Sequence, residues 1–188
     1  MSTDRPRVVL VGPMGAGKTT VGELLASAWG LTLRDTDRDV EDAEGRPISE
    51  IFVDRGEQYF RELERAAVAQ ALTGHDGVLA LGGGAVLDPE TRAALKEHVV
   101  VFLHVGLSDA VKRVGLGTAR PLLLGNVRAR IKALLDERLP IYREVATVTV
   151  ETDGRTAEEV AAEVRERVER LEAQESAGPV AGPSEGER

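Results

Sequence analysis

The sequence predicts a single α/β domain, in which helices cover both faces of one central parallel sheet of about five strands. The length of 188 residues gives room for one domain with a proper core, and not comfortably for two. Short apolar runs, typical of strands buried on both faces, alternate with segments of helical periodicity. We expect the domain to span residues 1–172, and the aperiodic residues 173–188, rich in Gly, Pro, Ser and Glu, to form a disordered tail.

The first half of the chain begins with an apolar run that stops at Gly12, which predicts the first strand. Apolar residues then recur at helical spacing as far as Gly30. Pro47 suits the first turn of a later helix, where its missing N–H needs no partner. The predicted elements are a strand at 8–11, a helix ending near Gly30, a strand at 31–33, a helix beginning near Pro47 and a longer helix at about 57–72.

The second half continues the alternation, with capping signals at several helix starts. Asp88 before Pro89 is typical of an N-cap, Ser108 is predicted to cap a short helix, and Thr156 with Glu159 forms a capping box. Residues 115–126 lack a period and are predicted to form a mobile loop. The predicted elements are strands at 78–81, 99–103 and 145–150, and helices beginning near residues 89, 109, 127 and 157.

The composition excludes several function classes. A net charge of −8 disfavours a protein that binds nucleic-acid backbones, although 20 arginines against 4 lysines could still build a local anion site. The absence of cysteine excludes disulfides and thiolate chemistry. The N-terminus is polar, and the run at 99–103 is too short to cross a bilayer, so we expect a cytoplasmic protein without a membrane partner.

Residues 12–19 fit the phosphate-binding pattern G-x-x-x-x-G-K-[ST] at every fixed position. Its glycines let consecutive backbone N–H groups surround an anion, and the following helix directs its positive end at the phosphates. In this motif Lys18 reaches the β- and γ-phosphates, and the Thr19 hydroxyl binds Mg²⁺. A flexible glycine loop is the alternative, and the flanking strand and helix disfavour it. The residues expected to bind ATP here are Gly15, Ala16, Gly17, Lys18, Thr19 and Thr20.

The site of the phosphoryl acceptor is less clear from the residues alone. Asp35 and Asp37 follow the second predicted strand and therefore lie at the carboxyl edge of the sheet, where ligands bind. One could hold Mg²⁺ and the other could orient or deprotonate a hydroxyl, or either could simply cap a helix. Arg61 could bind an anion or form solvated ion pairs with Glu57 and Glu64.

Three further features have a functional and a structural interpretation. Arg138 lies at the end of an apolar helical stripe, where it could bind a carboxylate or extend to solvent. The run Gly82-Gly83-Gly84 after a strand indicates either close approach to a ligand or a plain tight turn. Arg120 in the predicted loop could stabilise a transferring phosphoryl group, or could have no function.

Taken together, the ordered motifs resemble those of the shikimate kinase family, from the first strand to about Arg155. They are the phosphate loop, then Asp35-Thr36-Asp37, Gly45-Arg46-Pro47-Ile48, Gly56-Glu57, Phe60-Arg61, Gly82-Gly83-Gly84, Arg120-Pro121-Leu122, and Arg138 before Pro140-Ile141-Tyr142. The resemblance implies a P-loop kinase fold with a mobile lid at about 115–126. It also implies an activity, which is transfer of the γ-phosphoryl group of MgATP to the 3-hydroxyl of shikimate by a monomer.

The resemblance also implies a role for each matching residue. Lys18 and Thr19 would hold MgATP, with Asp35 joining the metal shell, and Asp37 would bind shikimate hydroxyls and act as the base. Arg61 and Arg138, with backbone at Gly82 and Gly83, would hold the substrate carboxylate. The remaining roles are a lid contact to the phosphates for Arg120 and contacts to adenine for Arg113 and Arg155.

Two other classes remain open on the sequence alone. A gluconate or nucleoside monophosphate kinase would share the phosphate loop, but the arginines and Asp37 suit a hydroxy-carboxylic acid better. A nucleotide-binding module without catalysis could share the whole fold.

Overall fold

Five parallel strands form the centre of the computed structural model, which describes residues 4–115 and 124–177. The strand order is β2-β3-β1-β4-β5, so β1 lies in the middle of the sheet. This arrangement confirms the predicted fold class. The strands are β1 Val8–Val11, β2 Leu33–Asp35, β3 Val78–Ala80, β4 Val100–His104 and β5 Val148–Glu151.

Seven α-helices and one short 3₁₀ helix of the described residues connect and cover these strands. They are α1 Lys18–Trp29, α2 Thr36–Glu44, α3 Ile48–Thr73, the 3₁₀ helix Ala85–Leu87, α4 Pro89–Leu95, α5 Leu107–Gly115, α6 Leu124–Val145 and α7 Ala157–Ala177. None of these described helices combines the length and the apolar character needed to cross a membrane.

The alternation of β1 side chains explains why the sheet is covered on both faces. Val8 and Leu10 pack into one hydrophobic cluster, with helices α1 and α7. Val9 and Val11 pack into the other, with residues of α3, α4 and α6. Because strand side chains point alternately to opposite faces, a strand that is apolar throughout needs cover on both.

Several element boundaries differ from the sequence prediction. The predicted strand at 31–33 begins only at Leu33, because the backbone N–H of Leu31 donates to Ala26 O at 2.8 Å and completes the end of α1. Ser108 was predicted as an N-cap and lies inside α5, whose first turn is closed by a bond from Ala110 N to Gly106 O at 2.9 Å.

Helix α6 continues through Pro140 to Val145, so the predicted strand at 145–150 begins only at Val148. Leu139, Ile141, Tyr142 and Val145 pack on the second hydrophobic cluster, and this packing compensates for the backbone bond that proline removes. Helix α7 runs to Ala177, past the predicted boundary at residue 172, while residues 178–188 lie outside the described residues.

Helices α2 and α3 carry two features that position the site. Helix α2 begins at Thr36, where the sequence analysis considered a helix capped by one of the two aspartates, and Asp35 caps it by accepting a bond from Asp37 N at 2.9 Å. The two helices predicted on either side of Gly56 form the single run α3, which is kinked where Gly56 adopts a φ of +83°. The second part of α3 carries Arg61 towards the sheet.

Candidate active site

A cavity of about 540 Å³ lies at the carboxyl ends of β1, β2 and β3. Its lining comes from segments that are distant in the sequence, because parallel strands deliver their following loops to one edge. The polar and charged residues that line it are Lys18, Thr19, Thr20, Asp35, Asp37, Arg61, Glu64 and Arg138, together with Gly15, Gly17, Gly83 and Gly84.

The loop between β1 and α1 forms one wall of this cavity. A side chain at Gly12 would place its Cβ 2.7 Å from Leu103 O, so only glycine allows the loop to leave the sheet here. Gly17 adopts a left-handed conformation with a φ of 92° and directs the chain into α1. No side chain caps the first N–H groups of α1, which leaves them available to an anion. Ala16 is buried behind the loop.

Lys18 stands at the centre of the cavity wall. Its ammonium group donates to Gly12 O at 2.7 Å and to Pro13 O at 3.1 Å. Desolvation by burial lowers the pKa of Lys18 to about 8, although the nearby carboxylates of Asp37 and Asp35 act in the opposite direction. Lys18 is therefore a cation that a bound phosphate would stabilise further.

Asp35 uses its two carboxylate oxygens in different directions. One, Oδ1, caps α2, and the other, Oδ2, accepts a bond from the Thr19 hydroxyl at 3.4 Å. Asp35 is therefore the aspartate that caps a helix, and its second carboxylate oxygen remains beside Thr19. This pair of hard oxygen donors suits Mg²⁺, which takes few protein ligands and completes its shell with phosphate and water. Among the described residues there is no group of three or more His, Cys, Asp or Glu side chains that could bind a metal alone.

Asp37 faces the cavity and does not cap the helix. Burial, together with the charges of Asp35 and Glu64, raises its pKa to about 6, and Lys18 opposes the rise. Gly82 makes room for this carboxylate, because a Cβ at Gly82 would lie 2.3 Å from Asp37 Oδ1. The backbone of Gly82 also donates to the Thr36 hydroxyl at 3.2 Å. A carboxyl with a pKa near neutrality is suited to accept a proton.

Arg61 is held by two glutamates with different surroundings. It donates to Glu64 at 2.7 Å and to Glu57 at 3.4 Å, and the Glu64 side chain is 4% exposed while that of Glu57 is 66% exposed. Of the two ion pairs that the sequence suggested, only the one between Arg61 and Glu57 is therefore solvated. Gly84 lies against the guanidinium, since a Cβ there would be 2.3 Å from Arg61 Nη1.

Arg138 reaches the same cavity from α6. Its Nε is buried and has no hydrogen-bond partner among the described residues, so this donor does not extend to solvent. A Cβ built on Gly83 would lie 3.5 Å from Arg138 Nη1, which puts the guanidinium beside the glycine run. A buried, unpaired donor of this kind favours an anionic ligand.

Arg113 and Arg155, which were predicted to contact adenine, do not line the cavity. Arg113 donates to Gly15 O at 3.1 Å and to Thr152 O at 2.9 Å, so it is anchored against the phosphate loop. The guanidinium of Arg155 donates to Glu163 at 2.7 Å and to the carbonyls of Glu151 and Glu159, all near the start of α7. Arg120 lies outside the described residues. The roles of these three arginines stay predictions.

Glu64 and Tyr142 belong to this region, and the sequence analysis named both without giving either a role in the site. Glu64 lies four residues from both Phe60 and Val68, so it occupies a position on the buried stripe of α3. A glutamate at such a position, three residues after an arginine, is the signal that could have identified it. Tyr142, four residues after Arg138, donates to Gly83 O at 2.5 Å.

The comparisons with known proteins point to one family. The model of the shikimate kinase family matches residues 14–169. The shikimate kinase of Salinispora arenicola is 63% identical over 159 residues, covering 85% of this chain and 95% of the relative. The shikimate kinase of Thermobifida fusca is 59% identical over 159 residues, covering 85% of this chain and 92% of the relative. A solved structure of the Acinetobacter baumannii shikimate kinase in complex with shikimate has a TM-score of 0.82 and 36% identity, and the match covers 90% of this chain and 96% of that one.

Proposed function

Since the chain belongs to the shikimate kinase family, we propose that it transfers the γ-phosphoryl group of ATP to the 3-hydroxyl of shikimate. The products are shikimate 3-phosphate and ADP, in a step of aromatic amino-acid biosynthesis. The observation that carries the proposal is the shared cavity, because the phosphate loop, the Asp37 carboxylate and the two arginines Arg61 and Arg138 face a single volume. A site that only binds a nucleotide would need the phosphate loop and none of the other groups.

On the donor side, the loop before α1 and Lys18 hold the phosphates of ATP. The uncapped N–H groups at the start of α1 form the positive end of the helix and face the phosphates. Lys18 adds a full positive charge, which stabilises the negative charge of the phosphoryl group in the transition state. Thr19 and Asp35 would hold Mg²⁺ through their adjacent oxygens. The ion, when bound, neutralises charge on the β- and γ-phosphates.

On the acceptor side, Arg61 and Arg138 bind the carboxylate of shikimate. The unpaired Nε of Arg138 supplies a donor that needs an acceptor, and Glu64 fixes the orientation of Arg61. Gly83 and Gly84 let the ligand approach between the two guanidinium groups. A carboxylate held at one end of the ring leaves the hydroxyls at the other end directed towards Lys18 and the phosphates.

Asp37 completes the site as the acceptor of the hydroxyl proton. The 3-hydroxyl oxygen attacks the γ-phosphorus, the bond to the β–γ bridging oxygen breaks, and the proton passes to the Asp37 carboxylate. The raised pKa of Asp37, about 6, gives the conjugate acid some stability without protonating most of the groups at neutral pH. Lys18 beside it stabilises the ionised form.

Acceptor turnover is the direct test of this function. With MgATP, we expect ADP release with shikimate and not with gluconate or a nucleoside monophosphate. Arg138→Met should lower kcat/KM for shikimate by about a hundredfold or more, because it removes a charged partner of the carboxylate, with ATP affinity retained. Arg143→Met, an exposed arginine one turn later on α6, is the matched control and should behave as the unchanged protein. Turnover of gluconate without shikimate would reject the proposal.

The pH profile gives a second test. Asp37 has to be ionised and Lys18 protonated, so kcat/KM for ATP should fall below the Asp37 pKa of about 6 and above the Lys18 pKa of about 8. Bound phosphates favour the charged lysine, so the alkaline limb should move to higher pH in kcat. A profile that stays flat from about pH 5 to 9 would contradict these two assignments.

Assembly and location follow from the same proposal. The described residues to which we assign the chemistry line one cavity of a single chain, and we propose that the protein acts as a monomer. We place this biosynthetic step in the cytoplasm, with Mg²⁺ as the metal. Sedimentation at the concentration used for the activity assay tests the monomeric state. Activity that requires a dimer would contradict it.

A further inference from the structure

Tyr142 is a buried tyrosine that touches the acceptor side of the cavity only from behind. It is 1% exposed, its ring stacks on Phe102 with centroids 5.0 Å apart, and it is absent from the cavity lining. Its hydroxyl donates to Gly83 O at 2.5 Å, which links α6 to the glycine run across 59 residues of sequence. A ring packed in this way would satisfy the core as phenylalanine, so the hydroxyl needs its own explanation.

The hydroxyl lies between two groups that face the proposed carboxylate site. Gly83 lines the cavity, and Arg138, one helical turn before Tyr142, lies beside Gly83. Burial raises the pKa of Tyr142 to about 12, with the neighbouring Arg138 acting against the rise, so the group remains a protonated donor over the working pH range. The donor thus holds the carbonyl of Gly83 towards α6.

We propose that Tyr142 is a positioning residue, which acts through Gly83 and Arg138 to shape the site for the acceptor carboxylate. This inference rests on the proposed function. A peptide whose carbonyl is fixed behind the loop cannot rotate to present that oxygen to an anion, and the same bond fixes the distance between the loop and α6. Tyr142 itself has no described hydrogen bond or ring contact with the phosphate loop, so its removal should affect the acceptor more than the nucleotide.

The test replaces the hydroxyl and keeps the ring. Tyr142→Phe should raise the KM for shikimate about tenfold, because it leaves the Gly83 carbonyl without its partner, while the KM for ATP stays within about twofold. The midpoint of urea unfolding should fall by no more than the loss of one buried hydrogen bond explains, since the stacked ring is retained. Tyr59→Phe is the matched control, as the only other tyrosine of the sequence and one whose hydroxyl donates to Glu44 in a partly buried bond outside the cavity lining.

The possible outcomes separate the inference from the function beneath it. If Tyr142→Phe matches Tyr59→Phe in its KM for shikimate, the positioning role is wrong while the kinase activity stands. If the KM values for ATP and shikimate rise together as the unfolding midpoint falls, the hydroxyl is merely structural, and the inference is again wrong. If the unchanged protein fails to turn over shikimate, the proposed function is rejected, and the inference with it.

Discussion

Lys18→Met is expected to lower kcat by about a thousandfold, as removal of a preorganised charge from a phosphoryl-transfer site commonly does. The ammonium group lies at the meeting point of the phosphate loop and the acceptor cavity, where it donates to two loop carbonyls. Methionine matches much of the length of lysine and keeps its packing, but it supplies no charge. Single-turnover measurements with saturating ATP would separate this loss of chemistry from weaker binding.

The control for Lys18 is a lysine remote from the cavity. Lys96 is exposed at the end of α4, and Lys96→Met should leave kcat within about twofold of the unchanged protein. Affinity for shikimate should survive in Lys18→Met, because Arg61 and Arg138 remain in place. A variant that keeps a tenth of its activity would contradict the placement of Lys18 at the transferring phosphate.

The fold was predictable where a local signal fixes the backbone. Asp88 caps α4 with Pro89 in the first turn, and Thr156 and Glu159 form the expected reciprocal bonds at the start of α7. The prediction failed where tertiary packing outweighs a local preference. Pro140 normally ends a helix, yet α6 passes through it because the following residues pack on the sheet. Spacing along the chain does not report such packing.

The site was predictable in its donor half and ambiguous in its acceptor half. The phosphate loop is a contiguous motif whose conformation follows from its own glycines. The environment of Arg61 depends on Glu64, which is buried only because α3 packs against the glycine run. The same holds for Arg138. An arginine at the end of an apolar stripe could extend to solvent, but the Nε of Arg138 is buried. Periodicity identifies the face on which a residue lies and cannot decide which of two charged neighbours is desolvated.

Asp37→Asn is expected to lower kcat by about a thousandfold, within the usual range for loss of a general base. Asparagine keeps the size and a hydrogen-bonding oxygen, so shikimate should still bind, but the amide cannot take the hydroxyl proton. The carboxylate also supports the charge of Lys18, and its removal should lower the pKa of Lys18 below about 8. The alkaline limb of kcat/KM for ATP should therefore move to lower pH in this variant.

This shift tests the electrostatic coupling between Asp37 and Lys18 separately from the loss of the base. Asp42→Asn removes one charge from the exposed face of the same helix, and it should change neither kcat nor the position of the alkaline limb. A loss of less than about tenfold in Asp37→Asn would contradict proton abstraction, since general bases normally contribute a hundredfold or more. Asp37 would then orient the acceptor, and the proton of the 3-hydroxyl would pass to the phosphoryl oxygens of the nucleotide.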